Sequence, residues 1–265
     1  MSAAVQIGPL VLPTARLAVL LGILAFLGLA AVFTRRSGSR VAWPAVLVGL
    51  IVGRMAFVLA HLPSYRDEPL TVFAVWQGGF SPVAGIAAAA LLVAWKGSRE
   101  RIPVLAALAA GVGIWASASA FVSSGPVRPW PRGMTVYALD GQAVPIDRFR
   151  GRPFVINLWA TWCGPCRREL PMLARAAEAR PSVPVLFMAQ GEDAATVAGF
   201  LRERGLRPRH VLVDRSGDAG RAASSSALPT TLFVAGDGTI RDTHVGEISR
   251  AALDIGIDGL VENCS

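Results

Sequence analysis

Two cysteines three positions apart are the residues with the clearest chemical potential in this chain. Cys163 and Cys166 enclose Gly164 and Pro165, at a point where an apolar run typical of a buried strand gives way to a helical pattern. A cysteine at a helix N-terminus faces free N–H groups and the positive end of the helix dipole, and both favour the thiolate. A thiolate attacks disulfides, and a second cysteine one turn later can resolve the mixed disulfide. The pattern therefore predicts redox chemistry, with Cys166 the more buried sulfur.

Two other interpretations of the cysteine pair are weaker. A structural zinc site needs two further ligands, and the candidates are not spaced as a ligand pair: Cys264, His61, His210 and His244. An inert structural disulfide is disfavoured by Trp162 before the pair and by the Gly-Pro dipeptide within it. We therefore expect no metal, and no cofactor beyond the redox-active Cys163–Cys166 pair itself.

The surrounding elements indicate an α/β unit. Phe154–Trp159 and Val183–Ala189 are continuous apolar runs that suit strands buried on both faces. Helical patterns follow at 163–180 and 194–204, and Gly236-Asp237-Gly238 is a hairpin signal. Strands that alternate with helices predict a sheet with a mostly parallel centre.

A longer motif gives the pair a family context. The strings GRP from Gly151, NLWATWCGPCRRELP from Asn157 and ALPTTLFV from Ala227, with Gly236-Asp237-Gly238 after them, resemble the TlpA-like branch of the thioredoxin superfamily. The likeness covers roughly residues 134–262. It implies a thioredoxin-like α/β fold with a central mixed sheet and helices on both faces. It also implies a membrane-anchored, periplasm-facing thiol–disulfide reductase, a class that includes cytochrome c maturation proteins.

The resemblance also implies site residues. Pro229 would be a cis proline facing the cysteines, and the exposed backbone of Leu228 could then pair with an extended substrate segment. The expected substrate-binding residues are Trp162, Gly164, Pro165, Leu228 and Pro229.

Proton handling is expected to fall to Glu169. This residue matches the acidic position of the family three residues after the second cysteine, whereas Asn157 replaces the buried aspartate of thioredoxins and cannot titrate. We expect Glu169 to tune the thiol pKa values and to shuttle protons as a third catalytic residue. The alternative is a solvated glutamate that pairs with Arg167 or Arg168 on the helix surface.

The first 122 residues have the composition of a membrane region. Four apolar stretches predict an all-α, four-helix transmembrane region with spans at about 14–33, 41–62, 72–95 and 102–122, since about 20 helical residues cross a bilayer. The third is the weakest, because Gly78, Gly79 and Pro82 could break it. Residues 123–133 are rich in proline and predict a stiff linker, with Trp130 in it or at the membrane interface, and 134–265 would form the thioredoxin-like domain.

The charge distribution predicts a membrane orientation. Of the net charge of +8, residues 1–122 carry +6 and the rest only +2, which leaves no basic stripe for nucleic acid and so excludes that partner. Basic residues follow the first and third spans and place those loops in the cytoplasm: Arg35, Arg36, Arg40, Lys96, Arg99 and Arg101. With four spans, the chain is then a multi-pass protein of a bacterial inner membrane, its soluble domain on the periplasmic side. A three-span count would place that domain in the cytoplasm.

The membrane region has a resemblance of its own. GRMAFVL from Gly53, Pro69-Leu70 and VWQGGFS from Val75 are similar to part of the prolipoprotein diacylglyceryl transferase family, over about residues 14–95. The histidine that follows Gly-Gly-x-Ser in that family is missing, so we expect transferase activity to be lost and a lipid- or partner-binding anchor to remain. Arg54 inside a span is costly, and is either functional or paired near the outer end with Asp67 or Glu68.

Together these features predict a membrane-anchored thiol–disulfide oxidoreductase that reduces oxidised proteins outside the cytoplasm. The region that contacts the lipid bilayer has no cysteine, so a membrane dithiol must supply electrons in trans. Two alternatives stay open. One is a lipid-modifying membrane protein with an accessory redox domain, and the other is a thioredoxin-like module that binds without redox turnover. Cys264 is expected to be a free terminal thiol.

Overall fold

The computed structural model describes residues 4–7, 10–34, 39–66, 68–96, 100–123, 128–225 and 227–262. Apart from the first few residues, the chain divides at residue 126 into an N-terminal and a C-terminal compact unit. The two units are described separately below.

The N-terminal unit is built from helices. Its described elements are a two-stranded sheet of β1 and β2 followed by α1 to α4, with bounds Ala4–Ile7, Leu10–Pro13, Thr14–Phe33, Ser39–Ala60, Pro82–Lys96 and Arg101–Ser123. Of the helices in the described residues, three are long and apolar enough to cross a membrane: Thr14–Phe33, Arg40–Ala60 and Arg101–Val122. Helix α2 packs on α3 at glycines, since a Cβ on Gly85 would lie 2.7 Å from the Gly49 carbonyl oxygen.

The third apolar stretch, expected at 72–95, is not one continuous helix. Short 3-10 turns occupy Pro69–Phe73 and Val75–Gln77, and α3 begins only at Pro82. Gly78 and Gly79 separate these elements with φ of 78° and 80°, outside the helical region. The 15 residues of α3 give a helix of about 22 Å, short of the ~30 Å hydrocarbon core of a bilayer. The prediction of a continuous helical span over 72–95 was therefore wrong in its first ten residues, where glycine conformation overrides apolar composition.

Arg54 of α2 holds this irregular segment in place. The side chain is 6% exposed, and its guanidinium donates to the main-chain carbonyls of four residues, Thr71, Val72, Gly78 and Gly79. Its Cζ atom also lies 5.7 Å from the ring centroids of both Tyr65 and Phe80. Of the two carboxylates expected to pair with it, Asp67 lies outside the described residues. The costly arginine thus substitutes for the helical hydrogen bonds that this segment lacks.

Within the described part of the C-terminal unit, eight strands form one mixed sheet in the order β3-β10-β9-β6-β7-β8-β4-β5. Strand β6 pairs in parallel with β7, and β7 with β8, whereas the other neighbours are antiparallel. The strands β3 to β10 are Arg128–Pro129, Thr135–Ala138, Ala143–Pro145, Phe154–Trp159, Val185–Gln190, His210–Asp214, Thr230–Val234 and Thr239–Val245. The helices α5 to α8 are Gly164–Ala179, Ala194–Glu203, Asp218–Ala222 and Arg250–Glu262.

The central strand β6 is buried on both faces, because helices cover both sides of the sheet. Val155 and Trp159 belong to the cluster that contains residues of α5, α6 and α8. Phe154, Ile156 and Leu158 belong to the cluster on the opposite face, with residues of α7 and of the β4–β5 hairpin. This arrangement confirms the thioredoxin-like α/β fold. Asn157 shares the face of Val155 and Trp159, which directs its amide toward α5.

The stretch 123–133 differs from the expected linker at both ends. Ser123 is the last residue of α4, and Arg128–Pro129 is already an edge strand on β10, where the missing N–H of proline is tolerated. Trp130 is 1% exposed and packs into the core of the C-terminal unit, and its main-chain N–H donates to the Gly238 carbonyl over 2.8 Å. The expectation that Trp130 lies at the membrane interface or in a linker was therefore wrong, because the large indole gains more by burial in the sheet.

Candidate redox site

The cysteine pair lies at the junction of β6 and α5. After Trp159 the chain makes a turn over 160–163 that is closed by the Cys163 N–H on the Ala160 carbonyl, at 3.2 Å. Cys163 is the N-cap of α5, and its Sγ accepts the Cys166 N–H over 3.3 Å. The two residues are disulfide-bonded, with Cα atoms 5.3 Å apart. Cys163 is 5% exposed and Cys166 is fully buried, so the sulfur of Cys163 is the one an external partner can reach.

The residues around Cys163 form the outer surface of the site. Trp162 is 70% exposed, and Gly164 is exposed beside it. Pro165 occupies the first turn of α5, where its missing N–H costs no helical hydrogen bond. A flat apolar side chain and an exposed glycine backbone next to a sulfur suit contact with a polypeptide.

The peptide bond between Leu228 and Pro229 is cis, as the family resemblance implies. It directly precedes β9, and Thr230 of β9 pairs with Leu158 of β6, so the bond lies at the end of the sheet where β6 turns toward Cys163. Leu228 packs against the cluster that contains both cysteines. The Pro229 carbonyl accepts the Gly246 N–H at 2.9 Å. The sheet therefore brings the expected substrate-binding residues to one edge.

Glu169 lies one helical turn beyond Cys166 and is 3% exposed. Its Oε1 accepts the Asn157 Nδ2–H over 2.9 Å, and its Oε2 accepts the Ile248 N–H over 2.8 Å. Burial raises the pKa of Glu169 to about 8 and outweighs these hydrogen bonds, which lower it. The group can therefore change protonation near neutral pH, as a proton shuttle must.

The alternative of a solvated Glu169 paired with its neighbours is wrong. Arg168 turns away to Glu247, and the Arg167 guanidinium lies over the ring of Phe200, 5.8 Å from its centroid. Both cations follow the outer side of α5, whereas Glu169 faces the sheet. Their positions leave the carboxyl group without a direct ion pair in the described structure.

Asn157 serves Glu169 without titrating. Its Nδ2 also donates to the Thr231 hydroxyl over 3.1 Å, while its Oδ1 has no hydrogen-bond partner among the described residues. A half-turn of the amide would exchange the two atoms and present Oδ1 to Glu169. The amide can therefore donate to the carboxylate or accept from the carboxylic acid, so Asn157 fits both protonation states.

Two further acidic residues support the site and were missed in the sequence. Glu247 precedes Ile248, and its Oε2 accepts Arg168 Nε at 3.0 Å and Nη2 at 2.7 Å. Glu192 follows β7 and binds Thr161 twice, since Oε2 accepts the Thr161 N–H at 2.8 Å and Oε1 accepts its hydroxyl. The signal for Glu192 was available, because the carboxyl ends of neighbouring parallel strands meet at one edge. Nothing local marks Glu247, which is 79 residues from its partner.

No group of three or more potential metal ligands occurs within the part of the chain that the structure describes. Cys264 lies outside that part. The chemistry available at the site is therefore that of a helix-terminal cysteine, a buried second cysteine and a carboxyl group that titrates near neutral pH.

Comparison with known proteins gives a separate result for each half. Residues 126–255 match the Redoxin family model, and residues 2–124 match that of prolipoprotein diacylglyceryl transferase. A thiol:disulfide interchange protein DsbE of Pseudomonas fluorescens biotype C is 34% identical over 99 residues, which are 37% of this chain and 54% of the relative. A thiol-disulfide oxidoreductase ResA of Geobacillus kaustophilus (strain HTA426) is 26% identical over 118 residues, 44% of this chain and 67% of the relative.

Among solved structures, a thiol:disulfide interchange protein of the thioredoxin family from Chlorobium tepidum TLS is 20% identical, with a TM-score of 0.45. It is covered over 99% of its length by 52% of this chain. The match to the DsbE relative covers about half of the length of that relative.

Proposed function

We propose that the protein is a membrane-anchored thiol–disulfide oxidoreductase that reduces protein disulfides outside the cytoplasm, since residues 126–255 match the Redoxin family model. The observation that carries the proposal is the Cys163–Cys166 disulfide at the N-terminus of α5, with the buried Glu169 one turn further along the same helix. The names of the DsbE and ResA relatives agree with this chemistry.

In the first step, the thiolate of Cys163 attacks one sulfur of a substrate disulfide. A bond forms between the two sulfurs, the substrate disulfide breaks, and its second sulfur leaves as a thiolate that takes a proton from water. Cys163 is the attacking residue because it is the more exposed of the pair. The Cys166 N–H and the N-terminus of α5 stabilise its negative charge.

In the second step, Cys166 resolves the mixed disulfide. Its thiol passes a proton to the ionised form of Glu169, and its sulfur attacks Cys163 and displaces the substrate sulfur as a thiolate. Two electrons have then passed from the pair to the substrate. With the pair oxidised, a pKa of about 8 keeps this proton on Glu169 at neutral pH.

An external dithiol then reduces the pair again. The donor attacks Cys163, Cys166 leaves as a thiolate, and Glu169 returns the proton to it. The donor is oxidised to a disulfide as its second thiol releases Cys163. The membrane region has no cysteine and cannot be this donor, so we propose a separate membrane dithiol protein for the role.

Substrate docking is assigned to the surface beside Cys163. An extended segment on either side of the substrate cysteine would pair with the backbone at Leu228 and lie against Pro229. Trp162, Gly164 and Pro165 would contact the other side of that segment. Main-chain pairing gives affinity with little dependence on sequence, which suits a reductase of several partners.

The proposed membrane placement is supported by the apolar helices and by the basic residues that flank them. Among the described residues three helices are long enough to cross, and in the proposed topology α3 together with the 3-10 turns before it would supply a fourth passage with Lys96 and Arg101 on the cytoplasmic side. The Redoxin domain is then outside the cytoplasm. A membrane-impermeant maleimide should label reduced Cys163 on intact spheroplasts. Labelling that requires lysis would mean three crossings and a cytoplasmic domain.

For the N-terminal unit we propose an anchor rather than a lipid transferase. Arg54 is engaged by main-chain carbonyls, and Pro82–Gly85 stand where the transferase family has its histidine. A Cys163→Ala, Cys166→Ala double variant that still transfers lipid to a prolipoprotein peptide would contradict this assignment.

The proposal is tested by the number of peptide disulfides that each reduced chain can reduce. The full chain in detergent, with the cysteine pair reduced and excess reductant removed, is mixed with a peptide that contains one disulfide. We expect one peptide disulfide reduced per chain and a Cys163–Cys166 disulfide formed, and a titration against glutathione gives the potential. No reduction, together with full function of a Cys163→Ser variant in cells, would indicate a binding module instead. A strongly oxidising midpoint would indicate an oxidase.

A further inference from the structure

An ion pair on the outer side of α5 lies directly beside the buried carboxyl group of Glu169. Arg168 precedes Glu169 on the helix, and its Nε and Nη2 both donate to one oxygen of Glu247. The Glu247 side chain is 8% exposed, and the next residue, Ile248, donates its N–H to Glu169. Residues 168–169 and 247–248 are therefore joined twice. The Arg168–Glu247 ion pair lies on the outer side of α5, and the hydrogen bond from the Ile248 N–H to Glu169 lies on the buried side.

We propose that the Arg168–Glu247 pair is a positioning device that sets the pH at which Glu169 exchanges its proton. This inference rests on the proposed function, since it gives Glu169 its role in turnover. Neither residue touches a sulfur in the proposed steps, so both act through Glu169 and not as catalytic residues.

The groups around Glu169 come from several elements. Helix α5 contributes Cys166 and Arg168, and the loop between β10 and α8 contributes Glu247. Strands β6 and β9 contribute Asn157 and Thr231, which carry no charge. On β10, a ring nitrogen of His244 lies 3.3 Å from the Glu247 carbonyl oxygen and so faces the loop and not the carboxyl. Among the residues that the structure describes, the permanent charges facing Glu169 are therefore one cation and one anion.

The two charges act on Glu169 in opposite directions. The negative charge of Glu247 raises the pKa of Glu169 and the positive charge of Arg168 lowers it, each by less than burial does. As an ion pair they oppose each other, and Glu169 is buried beside a pair whose formal charges sum to zero. Removal of Arg168 leaves the buried charge of Glu247 uncompensated beside Glu169, and removal of Glu247 leaves the cation of the more exposed Arg168 without its partner there.

A purely structural role for the pair makes a different prediction. If Arg168 served only to hold the loop, loss of either partner would loosen the Ile248 N–H bond to Glu169. That bond favours the carboxylate, so both variants would then raise the pKa of Glu169. The signs of the two changes in the Glu169 pKa, and not their size alone, distinguish the electrostatic role from the purely structural one.

The experiment uses the full chain in detergent with the pair oxidised and ¹³C-labelled glutamate. The carboxyl resonance of Glu169 is assigned by its loss in Glu169→Gln and is then titrated. We expect Arg168→Met to raise the midpoint and Glu247→Gln to lower it, each by about one unit. The double variant should return to within about a third of a unit of the parent, because both charges are gone. Arg167→Met, which removes the neighbouring cation over Phe200, should leave the midpoint unchanged.

Shifts of the same sign in Arg168→Met and Glu247→Gln, or no shift in either, would overturn the proposal. The titration does not depend on turnover, so it also separates this inference from the proposed function. If the parent reduces no disulfide while the opposite shifts are present, the function fails and the positioning role stands. If turnover is normal and the shifts are absent, the positioning role alone fails.

Discussion

A buried ionisable side chain lies in each half of the chain, and the two are stabilised in opposite ways. Arg54 is 6% exposed and donates to four main-chain carbonyls, so its positive charge is permanent and fully used in holding the segment 69–79. Glu169 is 3% exposed, accepts only two hydrogen bonds, and has a pKa of about 8. The chemistry of the two groups decides the outcome. A guanidinium stays charged when buried and needs carbonyl partners, whereas burial raises the pKa of the Glu169 carboxyl group toward neutral pH although it accepts two hydrogen bonds.

The largest expected effect on activity comes from a substitution in the C-terminal unit, which contains Glu169. Cys163→Ser should lower disulfide reduction by about three orders of magnitude or more, because a serine hydroxyl does not ionise near neutral pH and replaces the nucleophile. The measurement is the initial rate with a disulfide peptide. Cys264→Ser is the matched control and should retain the parental rate. Comparable loss in both variants would break the assignment of the nucleophile.

In the N-terminal unit, Arg54→Met should destabilise the helical fold without affecting the rate of disulfide reduction. Loss of the guanidinium leaves several partly buried carbonyls without this donor, at a cost of about 3–5 kcal/mol. We expect a lower midpoint for thermal unfolding of the membrane helices in detergent, followed by circular dichroism, and an unchanged rate of disulfide reduction in folded samples. Arg54→Lys should restore only part of the stability, since an ammonium cannot bond to all four carbonyls. A stable but redox-inactive Arg54→Met variant would contradict the contrast between the halves.

Glu169→Gln should flatten the pH dependence of stability. The pKa of Glu169 is about 8 in the folded chain and near its ordinary 4.5 when unfolded, so only the unfolded state ionises between these values. The parent therefore loses free energy of unfolding relative to Glu169→Gln as the pH rises from 4.5 to 8, on the order of 3 kcal/mol by pH 7. The free energy of unfolding at each pH is measured by denaturant titration, followed by the fluorescence of the buried tryptophans.

The matched control for that series is Glu178→Gln, an exposed glutamate on the same helix. It should follow the parent at every pH. A parallel pH dependence for Glu169→Gln and the parent would mean that Glu169 ionises normally in the folded protein, and the contrast with Arg54 would disappear.

The smallest expected effect concerns Glu192, which holds the turn before Cys163. Glu192→Ala removes both hydrogen bonds to Thr161 and should cost about 1–2 kcal/mol of local stability. We expect faster hydrogen exchange at the Thr161 amide and a rate of disulfide reduction lower by roughly tenfold. Thr161→Ser keeps both donors and should behave like the parent. Unchanged exchange at Thr161 in Glu192→Ala would mean that the turn is held by its neighbours.

Local sequence was enough to predict the centre of the site. Cys163 and Cys166 follow from a four-residue pattern, and the family motif implied the cis bond at Pro229 that the structure has. The buried position of Glu169 is compatible with its expected role, which stays a prediction. The buried run Phe154–Trp159 predicted the central strand, because burial on both faces leaves a continuous apolar segment.

The supporting contacts could not be predicted in the same way. Glu247 and Glu192 reach their partners across 79 and 31 residues, and only the completed sheet brings them together. From the sequence, Trp130 belongs to a proline-rich linker. Its burial depends on the pairing of the preceding strand with the edge of β10, which local sequence does not predict. The segment before Pro82 is apolar enough for a helix, but two glycines at positive φ and the hydrogen bonds of Arg54 give it another path.

The central claim is that Cys163 exchanges disulfides with an external protein, and trapping tests it most directly. In Cys166→Ala the resolving thiol is absent, so a mixed disulfide should accumulate between Cys163 and a partner in the cell envelope. Non-reducing separation and peptide mass spectrometry would identify it. We expect adducts on Cys163 that disappear in Cys163→Ser, Cys166→Ala. Absence of adducts, or adducts carried only by Cys264, would contradict the account.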